Sequence, residues 1–149
     1  MKFAGFDPAN YWLNTNEWSF PLCEIFHIIG FALLIGTIFI VDLRLMGLGM
    51  KRQTAAELVK DTAPWTLGGL VMILITGPLI FFSDPLLYLY NQSFRYKISA
   101  LLIGIVLNWT VHRWIAMKPE PGAAGVLIGA VSALLWASII AAGIFIAFI

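Results

Sequence analysis

Apolar residues run almost unbroken over four stretches of the chain, Phe20 to Leu43, Trp65 to Phe82, Ile98 to Met117 and Ala123 to Ile149, with polar and turn residues gathered between them. A hydrocarbon core of about 30 Å needs about 20 apolar residues at 1.5 Å rise each, so every stretch predicts a transmembrane helix. The expectation is an all-α polytopic membrane protein with a single four-helix transmembrane domain over residues 1–149. Asn14 followed by Glu17 has the spacing of a capping box ahead of the first span. Thr54 with Glu57 has it again, opening a short amphipathic helix through Lys60 before Pro64 starts the second span. Gly77 and Pro78 predict a kink in that span. Ser83 to Asn91 reads as a turn-rich connection with interfacial Tyr88 and Tyr90, and Pro119 to Gly122 reads as a tight turn. Tyr11, Trp12 and Trp18 fit an aromatic belt at headgroup level.

Composition narrows the function classes. Hydrophobic residues make up 60% of the chain and charged ones 11%, against about 25% charged in ordinary soluble domains. Residues 1–19 are too polar for the apolar segment of a signal peptide, so the first span is expected to remain as an anchor. The lone Cys23 excludes an intrachain disulfide, and a net charge of +1 offers no nucleic-acid surface. Arg44, Lys51, Arg52, Lys60, Arg113 and Lys118 flank one side of the spans, and Lys2, Arg95 and Lys97 the other. By the positive-inside rule, that bias places both termini outside.

Gly125, Gly129, Ala133, Ala137 and Ala141 recur every four residues along the fourth span. A stripe of small side chains lets helix backbones approach closely in lipid, either within one bundle or between copies, so a homo-oligomer is expected as readily as tight intramolecular packing. No nucleophile with a base partner and no phosphate-binding glycine loop is present, which argues against hydrolase or nucleotide chemistry.

The candidate chemistry lies with ionisable groups inside the spans, each costing about 2.5–3.5 kcal/mol at the bilayer centre on insertion scales. The first span carries Cys23, Glu24 and His27 within one turn, with Asp42 and Arg44 at its far end. In the third, Lys97, Leu101, Gly104, Asn108 and His112 recur at spacings of three and four and form one inward polar stripe. The strings Glu24-x-x-His27-x-x-Gly30, Asp42-Leu43-Arg44-Leu45-Met46-Gly47, Thr76-Gly77, Phe94-x-x-Lys97 and Asn108-x-x-x-His112 resemble those of a family of small bacterial four-helix inner-membrane proteins of unknown function. The resemblance covers nearly the whole chain. It implies a multi-pass location in the bacterial inner membrane and marks those residues as motif positions, and it brings no activity.

Both histidines of the chain fall in spans, and imidazole is a standard axial ligand of haem iron. The leading expectation is therefore a haem b protein of electron transfer with an external redox partner; any enzyme activity would be that of a membrane oxidoreductase. His27 and His112 are the expected ligands, and Gly30 and Gly104 would leave room for the macrocycle. Phe26, Phe31 and Phe39 would wall it, with Arg44, Lys97 and Asn108 as polar partners. Counted from the outer edge, His27 lies about 10 Å deep and His112 about 24 Å. Two imidazoles on one iron need nitrogens about 4 Å apart, taking bonds of about 2 Å each. One bis-histidine haem within a chain is therefore disfavoured, leaving a haem on one histidine or haems shared between subunits. The alternatives are a copper or zinc site on Cys23, Glu24 and His27, completed by a fourth ligand from another span or another copy; a proton or small-solute route through Glu24, Lys97, Asn108 and His112; and a structural subunit in which Glu24 pairs with Lys97 and Asp42 with Arg44, Arg113 or His112.

Overall fold

The structure, a computed structural model, describes residues 5–148. In chain order the helices are α1 (Ser19–Leu45), α2 (Ala55–Phe81), the short α3 (Pro85–Tyr90), α4 (Gln92–Ala116) and α5 (Gly122–Phe145). All but α3 are long and apolar enough to cross a membrane, and the chain is a multi-pass, all-α membrane protein. Lys2 of the charge count and Ile149 at the end of the fourth span lie outside the described residues.

The Thr54 capping box forms as expected, with the Thr54 amide on Glu57 Oε2 (2.7 Å) and the Glu57 amide on Thr54 Oγ1 (3.1 Å). The helix it opens does not stop at Lys60. α2 runs as one element through both Pro64 and Pro78. Threonine hydroxyls on this helix, including Thr62 and Thr76, donate back to the carbonyls of Leu58 and Met72 four residues earlier. Asn14, in turn, does not cap α1. It sits in a one-turn 3₁₀ helix upstream, and its amide donates to the Pro8 carbonyl (2.9 Å) and the Ser83 carbonyl (2.7 Å), fastening the N-terminal segment to the α2–α3 connection. Much of the segment from Ser83 to Asn91 is α3, begun by Pro85 in its first turn and by Asp84 Oδ1 accepting from the Leu87 amide. Turn residues in the order Ser-Asp-Pro are helix-start residues as well.

α1 is the centre of the bundle, packed on α2 and on α5, while α4 packs on α5. Its closest approach is to α2, where glycine meets glycine. A Cβ at Gly69 would stand 2.6 Å from the Gly30 carbonyl oxygen, and one at Gly30 would stand 2.9 Å from Ile73 Cγ2. The main core joins Leu34, Ile35 and Ile38 of α1 to Leu70 and Ile73 of α2, Ala100 of α4 and Trp136 and Ile139 of α5. The small-residue stripe of α5 divides: Gly125 and Gly129 are buried against the C-terminal turns of α1, and Ala137 and Ala141 are exposed. Beyond Gly129 the buried face passes to Ser132, Trp136, Ile139 and Ala142.

Gly69→Ala is expected to destabilise the protein by about 1–3 kcal/mol through overpacking. Gly36→Ala, with nothing within 4 Å of the new methyl, should leave stability unchanged. Thermal unfolding in detergent followed by circular dichroism checks the pair; equal effects at both positions contradict the close approach.

Candidate functional site

The polar side chains of the spans collect in two places. The first is a cavity of about 770 Å³ at the end of the bundle that carries α3, lined from α1, α2, α3, α4 and α5. Its walls are apolar, with Phe31, Phe81, Phe94 and isoleucines from α2, α4 and α5, and its polar groups are Glu24, His27, Tyr88 and Lys97. That size and lining suit a small-molecule or cofactor site. Burial pushes the Tyr88 phenol above its ordinary pKa, so at neutral pH it presents a hydrogen-bond donor.

His27 is held in one orientation. Its Nδ1 lies 2.8 Å from Thr76 Oγ1, and the Thr76 hydroxyl lies 2.7 Å from the Met72 carbonyl. A hydroxyl has one hydrogen, which goes to the carbonyl, so the Thr76 oxygen accepts from His27 Nδ1–H. In the neutral ring the lone pair is then on Nε2, which has no hydrogen-bond partner among the described residues. The ring also meets Phe31 edge-on at 5.1 Å. On the same phenyl ring sits the Lys97 ammonium, 4.6 Å from its centroid. Among the described residues no carboxylate lies within salt-bridge distance of Lys97, so the expected Glu24–Lys97 pair does not form.

The second place is near the C-terminal end of α1. His112 Nε2 donates to Asp42 Oδ1 at 2.6 Å, and the Asn108 amide stands 3.4 Å from His112 Nδ1. His112 is 2% exposed and Asp42 0%. Residues Asn108–His112 form a π-helical turn inside α4. Eight residues at 100° each would set position 112 about 80° away from Gly104; the wider turn brings it round to the face that Gly104 presents to Trp136 of α5. Single π-turns of this kind gather at functional sites.

Fifteen residues of α1 separate His27 from Asp42, about 22 Å at 1.5 Å per residue, with the apolar core between them. His27 and His112 therefore cannot share an iron within one chain, as the depth estimate anticipated. The two ends of the polar stripe on α4 belong to different clusters, and among the described residues no side-chain hydrogen bond or ion pair links Glu24 or Lys97 to Asn108 or His112. Both ring nitrogens of His112 are engaged, which sets it apart from His27 as a prospective iron ligand.

Other expected site residues are placed differently. Gly30 is filled by its contact with Gly69 and Met72, and Gly104 lies beneath the Trp136 ring, so neither opens space for a macrocycle. The glycines that do widen the cavity are Gly77, whose Cβ would reach 3.6 Å from His27 Cε1, and Gly143, 3.4 Å from Lys97 Nζ. Arg44 lies at the opposite end of α1, its guanidinium on the Gln53 carbonyl. Of the three phenylalanines, Phe31 lines the cavity, Phe39 packs on the core and Phe26 is exposed. Cys23 is buried with its sulfur 4.0 Å from the Thr76 carbonyl. Among the described residues no three His, Cys, Asp or Glu side chains converge to hold a metal ion, the Cys23, Glu24 and His27 set included. Tyr88, Gly77 and Gly143 line the cavity and Thr76 holds His27 beside it; of these, only the adjacent Thr76 and Gly77 had a signal in the sequence.

The chain belongs to a family described as a family of unknown function (DUF6644), which matches residues 19–149. No curated protein and no solved structure matches it.

Removing one member of the buried pair leaves the other without its partner, at a cost of about 2–5 kcal/mol. His112→Leu and Asp42→Leu are each expected to lower stability by that amount, and the double variant to recover a large part of it. A double-mutant cycle on thermal or denaturant unfolding measures this; additive losses refute the coupling.

Proposed function

We propose that this protein binds haem b within the membrane through His27 and uses it in electron transfer. The observation that carries the reading is the His27 imidazole, fixed by Thr76 so that an unprotonated nitrogen is available in an apolar cavity. A metal-binding histidine characteristically donates its other ring N–H to a fixed acceptor, which sets its tautomer and raises its basicity. A single free imidazole suits a cofactor that brings its own equatorial ligands, whereas a bare copper or zinc ion needs further protein ligands close by. Lys97, inside the spans without a carboxylate, would take a propionate, since an intramembrane cation calls for an anion. Tyr88 would add a hydrogen bond, and Phe31, Phe81 and Phe94 would exclude water. When bound, haem would supply one-electron redox chemistry; the protein's own part is to hold, orient and shield it.

With the basic residues inside, the cavity would open in the outer half of the bacterial inner membrane and meet a redox partner there. The exposed Ala137 and Ala141 would leave α5 free to meet a second copy in a homo-oligomer.

Reconstitution of detergent-purified protein with haemin, read as a Soret band and its shift on dithionite reduction, tests the proposal. Wild-type protein should bind about one haem per chain. His27→Ala should abolish the band and His112→Ala keep it when normalised to folded protein; Thr76→Val should weaken binding about 10–100-fold. Absence of a Soret band in the folded wild-type protein, or an unchanged one in His27→Ala, defeats the reading. Lys97→Ala should weaken binding with less effect on the spectrum than His27→Ala.

A further inference from the structure

α2 and α4 follow one another in the chain, joined by α3, yet they pack together chiefly at the far end, where α2 meets Arg113–Ala116. Toward α3 they part, and the cavity lies in the gap. Leu74 of α2 and Leu102 of α4 both line it, and both are more than half exposed, at 54% and 61%. Leu74 stands seven residues before the end of α2, and Leu102 ten residues after the start of α4, about 10 and 15 Å at 1.5 Å per residue. In a hydrocarbon core about 30 Å thick that is the depth of acyl chains, so the gap is a window onto one leaflet. Behind it the lining turns inward to Ile73 and Ile139, which are buried.

We propose that this window admits a membrane-dissolved fatty acid, its carboxylate on Lys97 and its chain running out between α2 and α4 into the leaflet. Charge selects the head. The Lys97 ammonium sits on the Phe31 ring inside the cavity, and the carboxylate of the lining, Glu24, is beyond salt-bridge distance from it. A cation within the spans calls for an anion, and a carboxylate meets an ammonium in a charge-assisted hydrogen bond. The window selects the tail. A single chain can pass an apolar gap at acyl depth without leaving hydrocarbon, and it gains dispersion contacts along the isoleucine and phenylalanine walls. A phospholipid suits the site less well, because its phosphate and headgroup would have to leave the interface to reach Lys97. The proposal goes beyond haem and does not rest on it. Since either guest would set a carboxylate on Lys97, the two exclude each other, and a fatty acid in the cavity holds the cofactor out.

Titration of the full chain, free of haem and held in phosphatidylcholine nanodiscs, with [1-¹³C]palmitate tests the site. Bound palmitate should give a carboxyl resonance resolved from that of palmitate dissolved in the bilayer, saturating at about one per chain. Unlabelled palmitate should displace it, and hexadecanol, equally apolar but uncharged, should not. Lys97→Met should weaken binding about 10–100-fold, and Leu102→Trp, at the exposed lip of the window, should weaken it with the fold intact by circular dichroism. A folded wild-type protein without a saturable carboxyl signal overturns the proposal, as does undiminished binding by Lys97→Met. Displacement by phosphatidylglycerol as effective as by palmitate overturns it too, assigning the site to a phospholipid. If Lys97→Met fails to fold, the contrast between palmitate and hexadecanol on the wild-type protein decides. Protein that takes up palmitate and shows no Soret band with haemin, or the reverse, separates this site's ligand from the haem reading.

Discussion

The short hydrogen bond between His112 and Asp42 organises the lower half of the molecule. It joins α1 to α4, two helices that both pack on α5, and it does so where a mispaired polar group is most costly. Local geometry yields to it. A regular helix would carry His112 away from the Asp42 carboxyl, and the π-turn at Asn108–His112 is how α4 keeps Gly104 under Trp136 while still delivering the imidazole to its partner. The indole ring of Trp136, the glycine that admits it and the serine one turn earlier all belong to this junction.

At the other end the logic is reversed. The polar groups of the cavity are left incompletely paired: an ammonium against a phenyl face, a histidine nitrogen with its lone pair unspent, a phenol kept protonated. One half of the bundle pairs its buried histidine with a buried carboxyl, and the other turns its polar groups toward the cavity. The apolar core of Leu34, Ile38, Ile73 and Ile139 keeps the two apart, so the functions assigned to them can be separated experimentally.

The four spans were legible because lipid solvation enforces long apolar runs, and the Thr54 box because its two hydrogen bonds are local. The inward placing of Lys97, Gly104 and Asn108 was legible from spacing, while His112 joins them only through the π-turn. What escaped depended on contacts between distant segments. Asn14 carries a capping signature, yet the Ser83 carbonyl, 69 residues away, competes for its amide. Gly30 and Gly104 have the spacing expected beside a cofactor ligand, and only the neighbouring helices reveal that both are filled. The π-turn has no marker in the residues themselves, because it arises from the demand of Asp42 on another helix. That Thr76 fixes the tautomer of His27 likewise needed the facing of α1 and α2.

The reciprocal glycine contact of α1 and α2 also bears on how the chamber can breathe. With carbonyl against Cα at positions 30 and 69, these two helices have no slack to slide or part, so the wall carrying His27 and Thr76 behaves as a rigid plate. Any widening to admit a guest must fall to the opposite wall, through displacement of α4 and the small α3 that leads into it, and the imidazole keeps its aim throughout.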